Sequence, residues 1–250
     1  MIKGEAFEKF LNKKGIKIDE NLVNNIDSNQ LSDEMLEKQL KIISKFHKKA
    51  SGYNGMFKDR LDSDVGKIVE EAKVSIKKFK RELNRISKNG IENDVDKVLL
   101  EHGKLYMDRG EKIIDNIYKN KYYDLIIRSM NNKEICLGNV DFKYLSEDNH
   151  INIKTTDKCK YNMVEVDAIN LLYRYKKKGI DLNYKDLAKK FCYMEDLGEN
   201  SYNFIISLIS FPYEFMKECK RYRYRKGELS DDEYSKRILK AMEQDKVSLV

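Results

Sequence analysis

The sequence predicts a mainly α-helical protein that carries one small β element. Three observations predict it. Apolar residues recur at helical spacing over most of the 250 positions, strand-like alternation is confined to positions 135–155, and a single proline leaves long segments unbroken. A chain of this length that is 41% hydrophobic can bury a sizeable core.

The elements follow in order. Residues 1–35, with "GEAFEKFLNKKG" and "IDENLVNNI", read as short helices. Leu36, Leu40, Ile43, Phe46 and Ala50 fall on one face of a helix that begins after Ser32, and Gly52 sits just past its end. Val65, Ile68, Val69, Ala72, Ile76, Phe79, Leu83 and Ile86 form a longer stripe closed by Asn89-Gly90. A third helical region over 94–130 carries Val98, Leu99, Leu105, Ile113, Ile114, Ile117 and Tyr118, with Gly103 and Gly110 as candidate kinks. Short strands are expected near 135–138, 141–145 and 150–155, in "EICLGNVDFKYL" and "HINIKT". Helical patterns resume with Val164, Ala168, Leu171, Leu172 and Tyr175. They continue with Leu187, Ala188, Phe191 and Tyr193, then over 204–219, then at Tyr234, Ile238, Leu239 and Met242. Apolar stripes at this spacing are core faces. No repeat, low-complexity tract or Pro/Gly/Ser-rich linker marks a domain boundary.

Charge and composition exclude several classes. The 49 basic and 42 acidic residues leave a net charge of only +7 on a chain that is 36% charged, so most charges belong to solvated helix faces. The longest apolar runs, such as "NFIISLISF", are too short to span a bilayer, and the N-terminus shows no export signal, so synthesis and retention inside the cell are expected, with no membrane partner. Cys136, Cys159, Cys192 and Cys219 form no C-x-x-C pair and read as reduced, buried thiols. His47, His102 and His150 lack the spacing of a metal or catalytic cluster and read as structural.

Four segments, in order, carry a family resemblance. "LKIISKFHKKASGY" resembles the start of the C-terminal lobe in the spore coat CotS-like group of the aminoglycoside phosphotransferase and choline kinase superfamily, with its "LA-x-FH-x-AS" pattern. "ICLGNVDFKYL" resembles that group's catalytic loop, "IKTTDKCKYNMVEVDAINLLYRYKKK" its metal loop and following helix, and "ISFPYEFMKECKRYRYR" its "FP..FW" helix. The resemblance implies that residues 36–250 form the C-terminal lobe of a protein-kinase-like fold, with 1–35 a short helical segment in place of the upper lobe.

The departures from that pattern imply lost chemistry. In the superfamily a loop Asp takes the substrate proton, while an Asn further along and the Asp of the next strand hold Mg²⁺ against the phosphates. Here the His position of the loop is Leu137, the base position is Asn139, the metal Asn falls on Tyr144 and the metal Asp on Thr155. A neutral amide takes no proton at neutral pH, and a phenol is a poor Mg²⁺ ligand. Asp157 is the candidate carboxylate left nearby. Strands average about 5–6 residues and connections about 4–6, so an upper lobe needs roughly 70 residues, more than precede the first strong helix. No glycine lies between Gly15 and Gly52 to build a phosphate loop there.

One further run invites a binding role. In "KECKRYRYRKGE", Lys217, Lys220, Arg221, Arg223, Arg225 and Lys226 interleave with Tyr222 and Tyr224, a composition that can grip nucleic acid. Phe211, Phe215, Cys219 and Tyr222 continue an apolar stripe, however. The basic residues are thus read as a solvated face or a partner patch centred on Lys220, Arg221, Arg223 and Arg225.

The expectation is a catalytically inactive, kinase-like protein with a structural or assembly role in the spore coat of an endospore-forming bacterium. It would act by binding other coat proteins, with no cofactor and no small-molecule substrate. Nucleic acid is not expected as a partner. The alternatives are a small-molecule phosphotransferase that uses Asp157 or Asp141 in rearranged roles, and an RNA-binding module.

Overall fold

The computed structural model describes residues 6–24, 26, 31–55, 59–225 and 229–250. Helix α1 (Phe7–Lys13) buries Phe7 and Leu11 and turns through Gly15, at φ 73°, into strand β1 (Ile16–Ile18). The expectation of helices throughout 1–35 is corrected here. Ile16, Lys17 and Ile18 alternate apolar and polar, and they pair in parallel with Ile151, Asn152 and Ile153 of β4. A three-residue strand is too short for its alternation to stand out in sequence. The tertiary partner decides its state.

Helix α2 (Asp33–Ala50) starts where Ser32 accepts a hydrogen bond from the Met35 amide, and it ends beside Gly52 at φ 84°. Helix α3 (Lys67–Asn89) ends at Gly90. The third helical region divides into α4 (Asp94–Lys119) and α5 (Tyr122–Asn132), broken at Lys121, which holds φ 55°. Gly103 and Gly110 are therefore not kinks. They are contact points inside an unbroken helix, where a Cβ on Gly103 would meet Phe79 Cζ at 2.7 Å and one on Gly110 would meet Ile76 at 3.2 Å. The apolar stripes face one continuous core that includes Leu11, Ile43, Phe79, Leu99, Leu172 and Ile238, while Leu105, Tyr193 and Leu239 are left exposed.

The β element comprises β2 (Ile135–Cys136), β3 (Leu145–Glu147), β4 (Ile151–Ile153) and β5 (Lys160–Tyr161). It forms two sheets, a three-stranded one in the order β1-β4-β3 and an antiparallel β2-β5 pair. The stretch expected as a strand over 141–145 is a turn up to Tyr144, because the amides of Tyr144 and Leu145 both donate to the Asp141 carbonyl. The second helical block is α6 (Glu165–Lys176), α7 (Tyr184–Met194), α8 (Glu199–Ile209), α9 (Tyr213–Arg223) and α10 (Asp231–Gln244). The run over 204–219 is split between α8 and α9 by Pro212, which has no N–H to continue a helix.

The α3–α4 approach gives a test. Overpacking a filled core costs about 1–3 kcal/mol, and alanine's helix preference over glycine returns about 1 kcal/mol. Gly103→Ala is expected to lower stability by a net of up to about 2 kcal/mol, read by denaturant titration. A more stable variant would show that Phe79 and Leu83 yield freely.

Candidate functional site

The stretch between β2 and β3 is held by its backbone. Asp167, in the first turns of α6, is fully buried, and its two carboxylate oxygens accept hydrogen bonds from the Leu137 amide at 2.7 Å and the Gly138 amide at 2.9 Å. Gly138 sits at φ 77°, and a Cβ there would meet the Lys158 carbonyl oxygen at 2.8 Å. The glycine is thus required by both its backbone angle and the close passage of the 155–159 loop. From α2, Gln39 donates to the carbonyls of Val140, at 2.9 Å, and Leu145, at 3.2 Å, and so fixes the far end of the loop.

His47 supports Asp167 from behind. Its Nε2 lies 3.0 Å from Asp167 and its Nδ1 lies 2.7 Å from Glu195 at the end of α7, with the ring 1% exposed. Burial alone would lower its pKa, but Glu195 and Asp167 outweigh that and hold it at about 10. His47 is therefore an imidazolium between two carboxylates, a structural role as its sequence context suggests. A second buried network stands alongside. Arg128 of α5 donates to Glu134 at 2.8 Å and to Glu165 at 2.7 Å, and Glu134 also accepts from the Val164 amide.

The sequence-selected residues divide around this frame. Leu137 is buried, and the bracing expected to be lost with a loop histidine is supplied through its amide instead. Asn139 is half-buried beside Gly138. Tyr144 is half-buried, with the Lys143 ammonium 4.9 Å from its ring centre. The Thr155 hydroxyl accepts from the Asp157 amide at 3.2 Å, and Asp157 itself is exposed. Thr156 donates to Glu8 of α1 at 3.2 Å, which sets a further carboxylate beside this loop. Asp141 is committed elsewhere. It accepts from Tyr175 at 2.6 Å and from the Phe142 amide at 2.9 Å, and it pairs with Arg174 at 3.1 Å.

The basic run on α9 is largely neutralised. Lys217 pairs with Glu214 at 2.6 Å, Arg221 with Glu218 at 2.9 Å and Arg223 with Glu82 at 3.6 Å, while Arg225 pairs with Asp231. Lys220 lines a small cavity with Arg223 between α3 and α9. Phe215, Cys219 and Tyr222 are buried, as the stripe predicts. Lys226 lies outside the described residues.

Comparison with solved structures finds, among the matches, the crystal structure of an aminoglycoside phosphotransferase from Alicyclobacillus acidocaldarius. The match has a TM-score of 0.68 and 12% sequence identity over 90% of this chain. The chain has a kinase-like phosphotransferase fold. It spans 66% of the length of that neighbour, and at this identity the likeness concerns the fold alone. No family model and no curated protein matches the sequence. The functional residue that sequence reasoning missed is Asp167. Its signal was an acid set between Val166 and Ala168 in an apolar helix start, a position that demands a buried partner.

Two candidate metal positions can be judged on donor chemistry. His47, Cys136 and Asp167 bring ligand atoms within 4.8 Å of one another. Both His47 nitrogens are already engaged, and burial followed by the nearby acids pushes the Cys136 thiol well above its usual value, so the group does not fit a transition metal. At the positions that the sequence resemblance aligns with Mg²⁺ ligands, Tyr144 and Thr155 offer a phenol and a hydroxyl. That set does not fit a hard dication that relies on carboxylates.

Two outcomes follow for the brace. Removing one partner of a buried ion pair costs about 3–5 kcal/mol, so Asp167→Asn is expected to lose stability in that range by denaturant titration. Because the folded pKa of His47 is raised above 6.5, its contribution is complete below pH 6.5 and is lost as pH rises through about 10. Stability in His47→Gln is expected to fall less than in the wild type over that window. Parallel pH profiles would rule out the imidazolium.

Proposed function

We propose that the chain is a kinase-fold protein that has given up phosphotransfer and acts by binding protein, in a structural or assembly role in the bacterial spore coat. One observation carries the first part. The loop backbone is held by Asp167, while the sequence resemblance aligns Asn139 with the base and Tyr144 and Thr155 with the metal ligands. Losing a general base alone typically costs about 10²–10⁴ in rate, and loss of the metal ligands adds to it.

Protein binding is supported by an unpartnered face on α5. Tyr123, Ile127 and Met130 recur at helical spacing and are 64%, 56% and 64% exposed. The spore coat assignment rests on the resemblance of the four sequence segments, and the partner would be another coat protein. The patch at Lys220, Arg221, Arg223 and Arg225 is a second candidate contact, though its ion pairs leave little free charge for RNA.

A rearranged phosphotransferase remains the second reading, because Asp157 is exposed next to Thr155. Asp141 cannot serve it while held by Arg174 and Tyr175. A thermal melt separates the two readings. Ligand at a hundred times its Kd adds about 2.7 kcal/mol of stability, worth roughly 2–4 °C per kcal/mol in a domain of this size. No shift beyond about a degree is expected at millimolar MgATP. A rise of several degrees that disappears in Asp157→Ala would establish the enzyme reading instead.

The binding reading has its own test. A tagged copy is expected to fractionate with the coat of sporulating cells, and Ile127→Glu with Met130→Glu is expected to release it without lowering the melting point. Unchanged fractionation of the double variant would remove α5 from the contact, and abundance in growing cells with no coat association would remove the assignment.

A further inference from the structure

At the C-terminal end of α6, we infer a binding site for a small carboxylate with a short apolar chain, built around Lys176. Lys176 is the last residue of α6 and lines a cavity of about 640 Å³ between the 177–184 connection and the end of α10. It is 6% exposed, and no hydrogen bond or ion pair from the described residues reaches its ammonium. Its neighbours differ. Lys177 is paired with Glu214 at 2.9 Å, and Lys178 lies over the Tyr175 ring at 5.4 Å.

The surroundings make the unpaired cation costly. Arg109, whose guanidinium donates to the carbonyls of Ser210 and Asp245, adds a second positive charge, and the fully buried Asp245 carboxylate is the one acid set among them. Asp245 spends its oxygens on the Tyr173 hydroxyl and the Phe215 amide. Lys178 and Lys240 also line the cavity, so positive charge prevails there over Asp181 and Glu243. Burial, then Arg109, push the Lys176 pKa down to about 8, with Asp245 opposing. The acids at the rim, Asp181 and Glu243, are solvent-exposed and screened.

The ligand class follows from charge and shape. The positive lining calls for an anion, and the Asp245 carboxylate near Lys176 favours a monoanion over a phosphate dianion. Ile180, Leu182, Val247 and Leu249 supply apolar wall, which suits a carboxylate carrying a short hydrocarbon tail. Lysine meets a carboxylate as a compact point charge, without the planar fork that selects phosphate or bidentate partners.

Calorimetric titration of the full chain with octanoate at neutral pH tests the site, with octanol and inorganic phosphate as controls. Octanoate is expected to bind at least about ten-fold more tightly than either control, and Lys176→Met is expected to weaken it by a similar factor. Because Lys176→Met could disturb the buried cluster, Val247→Glu, at an exposed wall position, gives an independent variant that should also repel octanoate. Equal binding of octanol would reduce the site to an apolar cavity, and equal binding of phosphate would reduce it to a bare anion site. Absence of binding at millimolar octanoate, or affinity unchanged in both variants, would overturn the inference.

Discussion

Everything around the candidate site depends on one buried carboxylate. Asp167 receives the Leu137 and Gly138 amides and the His47 imidazolium, so its negative charge is met by three donors although it is fully buried. A charge so deep is tolerable only when its lone pairs are engaged and a counter-charge stands beside it. The arrangement fixes α2, α6, α7 and the β2–β3 loop against one another. The loop's shape is set from outside by helix side chains, so the loop can lose its own reactive side chains without losing its path.

Ion pairs of this kind seldom raise net stability over well-packed hydrophobic residues. Their effect here is positional. Glu165 and Asp167, two residues apart at the start of α6, face two different networks, one reaching Arg128 and Glu134, the other His47 and Glu195. Between them these contacts tie both helical blocks to the β element. Gly138 completes the fit, since any side chain there would press on Lys158.

Much of the helical framework was legible because periodicity and caps agreed. Ser32 opens α2 and Gly52 follows it, and Gly90 closes α3, where apolar spacing and terminal chemistry point to the same boundaries. The break at Lys121 was not legible, since a lysine in the left-handed region carries no sequence signal. Strand β1 was missed because three residues gain their state from β4, and Gly103 was misread because its close contact with Phe79 is tertiary. At the site, the resemblance pointed to Leu137, Asn139, Tyr144 and Thr155, but the brace from Asp167 could not be read from the sequence. Asp167 and His47 are 120 residues apart in the chain, and nothing local connects them.

The loop backbone is held by Asp167 although the loop has no histidine of its own. Native-state hydrogen exchange at the Leu137 and Gly138 amides measures this directly, because an amide released only by global opening exchanges with the free energy of unfolding. Protection of both amides close to the global value is expected in the wild type, and its loss at both in Asp167→Asn. Fast exchange of these amides in the intact protein, with the helices still protected, would contradict it.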